Sequence, residues 1–111
     1  MNDLISAIAT PSGVGGVAII RMSGAGALEL VRKMFSRKGE FTRNMLYPGT
    51  IDAGDFSDYG MCVYFRAPHS FTGEDVVELH CHGGTEIARG VLKRTLELGA
   101  RLAERGEFTK R

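Results

Sequence analysis

Apolar and polar residues alternate over residues 3–9 (DLISAIA), which predicts a strand with Leu4, Ser6 and Ile8 on one face. Residues 10–16 (TPSGVGG) predict a loop, since Pro11 and three glycines forbid a regular element. The β-branched run VAIIRM at residues 17–22 predicts a buried strand. Ser23 then reads as the N-cap of a helix over residues 24–35. Its apolar face is Ala27, Leu28, Val31, Met34 and Phe35, and Glu29, Arg32 and Lys33 look outward. Residues 37–44 are polar and expected to be exposed. Residues 50–53 predict an edge strand before a turn at Gly54 and Asp55, and residues 60–66 (GMCVYFR) a strand rich in β formers. A second loop, residues 67–75, leads into a strand over residues 76–82. Thr85 is placed as the cap of a helix running to Leu98, with Ile87, Ala88, Val91, Leu92, Thr95 and Leu96 inward and Gly99 as its stop. Residues 100–103 form a short last strand. The order is not the regular alternation of a doubly wound fold. It predicts an α+β architecture: a mixed, mostly antiparallel sheet with two main helices packed on it.

Composition narrows the function classes. A length of 111 residues fits one domain, residues 1–111, with a modest core. Fourteen basic against thirteen acidic side chains give +1, too little for a domain whose main task is gripping nucleic acid. No apolar run approaches the roughly 18 residues that span a bilayer, and the N-terminus lacks a signal-peptide layout, so no membrane partner is expected. Cys62 and Cys81 are too few for a disulfide framework and suit a reducing compartment, which points to a cytoplasmic location. The chain stops at EFTKR without a closing element, as a fragment of a longer protein would.

Three groups of residues carry candidate chemistry. The glycine loop at residues 13–16 could cradle phosphate, but a strand follows it, and no Lys-Ser/Thr pair opens a helix there. A strand-to-strand turn is the better reading, and no nucleotide triphosphate site is expected within the chain. His80, Cys81 and His82 are possible metal ligands, with Glu78 a possible third on the histidine face. Strand alternation sends Cys81 away from both histidines, into the core, so no metal site is assigned. Alternation also puts Val77, Leu79 and Cys81 inward and Glu78, His80 and His82 on the other face. A carboxylate at Glu78 must meet either solvent or N–H donors. Arg21 shares a face with Val17 and Ile19, and is either a structural ion-pair partner or a fork for a planar or anionic ligand.

The segments IATPSGVGGVAIIRMSG (residues 8–24), SFTGEDVVELHCHGG (residues 70–84) and LAERGEFTKR (residues 102–111) together resemble the N-terminal domain of the MnmE (TrmE) family of tRNA-modification GTPases. The likeness spans essentially the whole chain. It departs at Ser12 and Val14, where the family often has a second proline and an arginine, and at Arg105, where it often has proline. The resemblance implies a domain similar to half of a T-protein-like tetrahydrofolate-binding domain, which dimerises and binds a tetrahydrofolate derivative (formyl- or methylene-tetrahydrofolate). It implies that the family's folate contacts fall on Arg21 and Glu78, with a further lysine just past Arg111 and no catalytic residue in this segment. It also implies a parent with helical and GTPase domains, the latter using GTP, Mg and K. That parent works with a flavin-dependent partner, MnmG (GidA), on the wobble uridine of tRNA. The chemistry at Glu78 agrees: a pterin presents an exocyclic amino group beside a ring N–H, and one carboxylate accepts both. Two other readings are a purely structural dimerisation module and a small metal-dependent hydrolase using Glu78, His80 and His82.

Overall fold

The structure, a computed structural model, describes residues 3–10, 16–70 and 72–110. Most of the glycine loop expected at residues 10–16 therefore lies outside the described residues. Among the described residues nine elements follow in order: β1 (Ile5–Ile8), β2 (Val17–Ser23), α1 (Ala27–Arg32), β3 (Leu46–Asp52), β4 (Ser57–Phe65), β5 (Val76–His82), α2 (Thr85–Glu97), β6 (Arg101–Leu102) and α3 (Glu107–Lys110). The strands form one six-stranded sheet in the order β3-β4-β5-β2-β1-β6. Every neighbouring pair is antiparallel except β1 with β6. The expected α+β fold with a mixed, mostly antiparallel sheet is present, and α1 and α2 are its two longest helices.

The two-residue period of the central strands decides which side chains meet the helices. Ala18, Ile20 and Met22 of β2 and Val77, Leu79 and Cys81 of β5 are buried in one core with Leu30 and Val31 of α1 and Ala88 and Val91 of α2. Burying a Val or Leu of this kind contributes about 1.5–3 kcal/mol. A buried polar clamp fixes α2 on β1: the Ser6 and Thr95 hydroxyls lie 2.8 Å apart. Thr95 has one hydroxyl hydrogen, which it donates to the Leu92 carbonyl at 2.6 Å, so Ser6 donates to Thr95. The expected face of β1 therefore includes Ser6 because of this pair.

Several expected boundaries differ. The first helix is six residues long rather than spanning residues 24–35, and Ser23 is the last residue of β2, not a cap. Gly24 and Gly26 take φ of +133° and +90°, so the chain turns through left-handed geometry before a helix can begin. Gly24 also runs so close to β1 that a Cβ there would lie 2.8 Å from the Asp3 carbonyl. At the other end Phe35 forms a bridge with Ile51, and the Met34 carbonyl accepts the Asp52 N–H at 2.7 Å, drawing the chain onto β3. The edge strand is longer than residues 50–53, because it pairs with β4 from Leu46 onward. Thr85 is the first helical residue of α2, behind Gly84, and makes no capping hydrogen bond. Gly99 does stop α2, at φ +123°. The last strand shrinks from residues 100–103 to two, and α3 was not foreseen.

Candidate functional site: a carboxylate on the face opposite the two main helices

Alternation in β2 and β5 sends Arg21, Glu78 and His80 to the face opposite α1 and α2. The strand register sets Arg21 beside Glu78, and Ile19 beside His80. Arg21 Nε donates to Glu78 Oε2 at 2.8 Å, and His80 Nε2 lies 3.0 Å from Glu78 Oε1. An ionised carboxylate only accepts, so His80 carries its proton on Nε2. Glu78 is only 8% exposed. Burial pushes its carboxyl up, but the hydrogen bonds from His80 and Arg21 and the Arg21 charge outweigh that and hold it below its ordinary 4.5. The donors that a flanked carboxylate requires are thus supplied from within the fold. Each carboxylate oxygen accepts one bond here and has capacity for a second.

Arg21 also borders a surface cavity of about 340 Å³, lined by Ala7, Ala9, Glu104, Glu107 and Phe108 among others. Arg101 holds the far wall together, with its guanidinium pairing with Asp3 at 2.9 Å and with Glu107 at 2.5 Å. The Glu107 carboxylate reaches back to accept the Glu104 N–H at 2.8 Å, which closes the turn into α3.

The two histidines do not converge. His82 Nδ1 lies 2.7 Å from Asp58 Oδ1, and its backbone N–H donates to Asp58 Oδ2 at 2.8 Å, while His80 turns to Glu78. Among the described residues no cluster of three His, Cys, Asp or Glu side chains is arranged to hold a metal ion. Cys81 points into the core, as alternation requires, and burial together with the Asp58 charge pushes its thiol up to about 11. Cys62 is likewise buried and free, its thiol pushed up to about 12.

The sequence reading missed Asp58 and a second network, which roofs one end of this face. Ser23 Oγ donates to Glu74 Oε1 at 2.9 Å and lies 2.7 Å from Thr72 Oγ1. Asp75 Oδ1 accepts the Ala67 N–H at 2.9 Å and the Tyr64 hydroxyl at 3.2 Å. Four polar residues of the SFTGED stretch thus hold their own loop: Thr72 and Glu74 tie it to β2, Asp75 ties it to β4, and Ser70 Oγ donates to the Glu74 carbonyl. The clustering of Ser, Thr, Glu and Asp around Gly73 was the available signal for such a loop.

The family described as "GTP-binding protein TrmE N-terminus" matches residues 4–111. The chain is 53% identical over its full length to the tRNA modification GTPase MnmE of Laribacter hongkongensis. It is 50% identical, over 99% of its length, to that of Dichelobacter nodosus, and 47% identical to that of Aquifex aeolicus. It spans about a quarter of the length of these relatives. With the match running along almost all of its residues, the chain belongs to the TrmE N-terminal family, the N-terminal domain of MnmE.

Proposed function

We propose that this chain is the part of a tRNA-modification GTPase that binds a tetrahydrofolate derivative and pairs with a second copy of itself. The observation that carries the reading is the half-satisfied Glu78 carboxylate on the face opposite α1 and α2, between Arg21 and His80. Its remaining lone pairs match the amino and ring N–H donors of a pterin, and a charge-assisted pair of this kind is stronger than a neutral one. Arg21 joins that carboxylate to the neighbouring cavity, where the rest of the ligand can lie. Formyl- and methylene-tetrahydrofolate share the pterin edge that Glu78 would read.

Self-pairing is supported by what the same face exposes. Val17, Leu46, Tyr59 and Met61 are between 36% and 64% exposed there, and a two-fold partner would cover them. The parent's GTP hydrolysis, with Mg and K, belongs to its GTPase domain, and MnmG (GidA) and tRNA are partners of the full-length protein. A cytoplasmic location goes with that reading, and no helix among the described residues is long and apolar enough to cross a membrane.

Calorimetric titration with formyl-tetrahydrofolate tests the site. Glu78→Gln should weaken binding by about 2–4 kcal/mol, because an amide offers an NH₂ to a donor edge. The fold should survive: the Gln oxygen accepts from Arg21, and the His80 imidazole can change tautomer so that Nε2 accepts from the NH₂. Equal affinity in variant and wild type would remove Glu78 from the site.

A further inference from the structure

The basic side chains are not spread evenly. Residues 32–43 hold Arg32, Lys33, Arg37, Lys38 and Arg43 against Glu40 alone, so this stretch carries +4 in a chain of net charge +1. The remainder has nine basic against twelve acidic side chains, a net −3. The fold gathers three of the five tightly. Arg32 Nη1 donates to the Lys38 and Gly39 carbonyls at 2.8 and 2.9 Å, and Lys38 Nζ donates back to the Arg32 carbonyl at 2.6 Å. Arg37 donates from Nε and Nη2 to the Glu40 carbonyl at 2.9 and 2.7 Å, with its guanidinium 4.0 Å from the centre of the Tyr47 ring. Arg32 and Arg37 both lie against Phe41, at 5.2 and 5.6 Å from its centroid. Lys33 and Lys38 line one surface cavity of about 240 Å³, together with Asp52.

Among the described residues none of the five is in an ion pair with a carboxylate. Carbonyls and ring faces orient a cation without cancelling its unit charge. Arg32, Arg37 and Lys38 are therefore held in place without a carboxylate in ion-pair contact, which lowers the ordering cost of meeting an anion. Of the aromatics beneath, Phe41 is buried and Tyr47 is half-buried under the Arg37 guanidinium, while the exposed apolar side chains Met45 and Leu46 follow Arg43 at the edge of the patch. Cations held in place without a carboxylate partner suit a phosphodiester backbone.

We propose that this patch, between α1 and β3, is a contact for the phosphate backbone of RNA. The near-neutral chain makes it a secondary contact rather than the principal grip. The proposal rests on the reading that the parent acts on tRNA, and is independent of folate binding at Glu78.

The test is fluorescence anisotropy of labelled bulk tRNA with this chain, between about 50 and 200 mM salt. Two double reversals probe the patch: Arg37→Glu with Lys38→Glu, and Lys33→Glu with Arg43→Glu. The second pair makes no side-chain hydrogen bond or ion pair among the described residues, so it should leave the fold intact. A control, Arg89→Glu with Lys93→Glu on α2, changes net charge equally elsewhere. Each patch variant should weaken binding about tenfold at low salt and lower the salt slope by about two, with the control near wild type. Equal loss in all three variants would assign the effect to net charge and overturn the proposal. Unchanged tRNA binding, with lost binding to polyglutamate, would overturn it in favour of an acidic protein surface. Unaltered folate affinity in the patch variants separates failure here from failure at Glu78.

Discussion

Glu78 is held by two donors from different positions, Arg21 across the strand pair and His80 two residues along its own strand. Its depressed pKa has a consequence for stability. A carboxylate whose folded value lies below its unfolded one stabilises the fold above the unfolded value, and that contribution is lost as pH falls through the folded value. Asp58 behaves alike: burial raises its carboxyl, but the His82 backbone and ring hydrogen bonds hold it below 3.8. Denaturant unfolding should therefore show stability falling as pH drops below about 4.5, the ordinary value for Glu78. Glu78→Gln should flatten that decline, leaving the Asp58 share. An unchanged decline in the variant would mean that Glu78 is not the titrating group. The position of Glu78 was legible from alternation, because period two leaves only two faces. Its partners were less so: Arg21 lies 57 residues away, and only the β2–β5 register brings it alongside.

At the scale of elements, β5 was readable to the residue, since a continuous apolar-rich run between two loops leaves little freedom in its ends. The first helix was not, because its start depends on left-handed glycines and its end on a bridge to β3, and neither shows in a 3.6-residue period. Likewise α3 is a single turn fixed by the Glu107 carboxylate, too short for periodicity to reveal. The docking of α2 on β1 should depend on the Ser6–Thr95 pair. Thr95→Val strands the Ser6 hydroxyl in the core and should cost about 1–3 kcal/mol. Adding Ser6→Ala should recover part of that loss, because no unpaired donor remains. A denaturant-based double-mutant cycle checks this, and strict additivity would show that the two hydroxyls do not interact.

The whole molecule is a sheet with unequal sides. Helices α1 and α2 close one face over an apolar core. The other carries the Arg21–Glu78–His80 network at its centre, the Ser23–Thr72–Glu74 network at one end, and exposed Val17, Tyr59 and Met61 at the other. If the face opposite α1 and α2 is the working face, ligand and partner should both be felt there. Methyl-resolved NMR reads both in one sample, by adding a tetrahydrofolate derivative and by raising the protein concentration. The predicted result is ligand-dependent shifts at Ala7 and Ile19 and concentration-dependent shifts at Val17 and Met61, with Val31 and Val91 in the core unmoved. Shifts confined to the outer sides of α1 and α2, or none at saturating ligand, would contradict it.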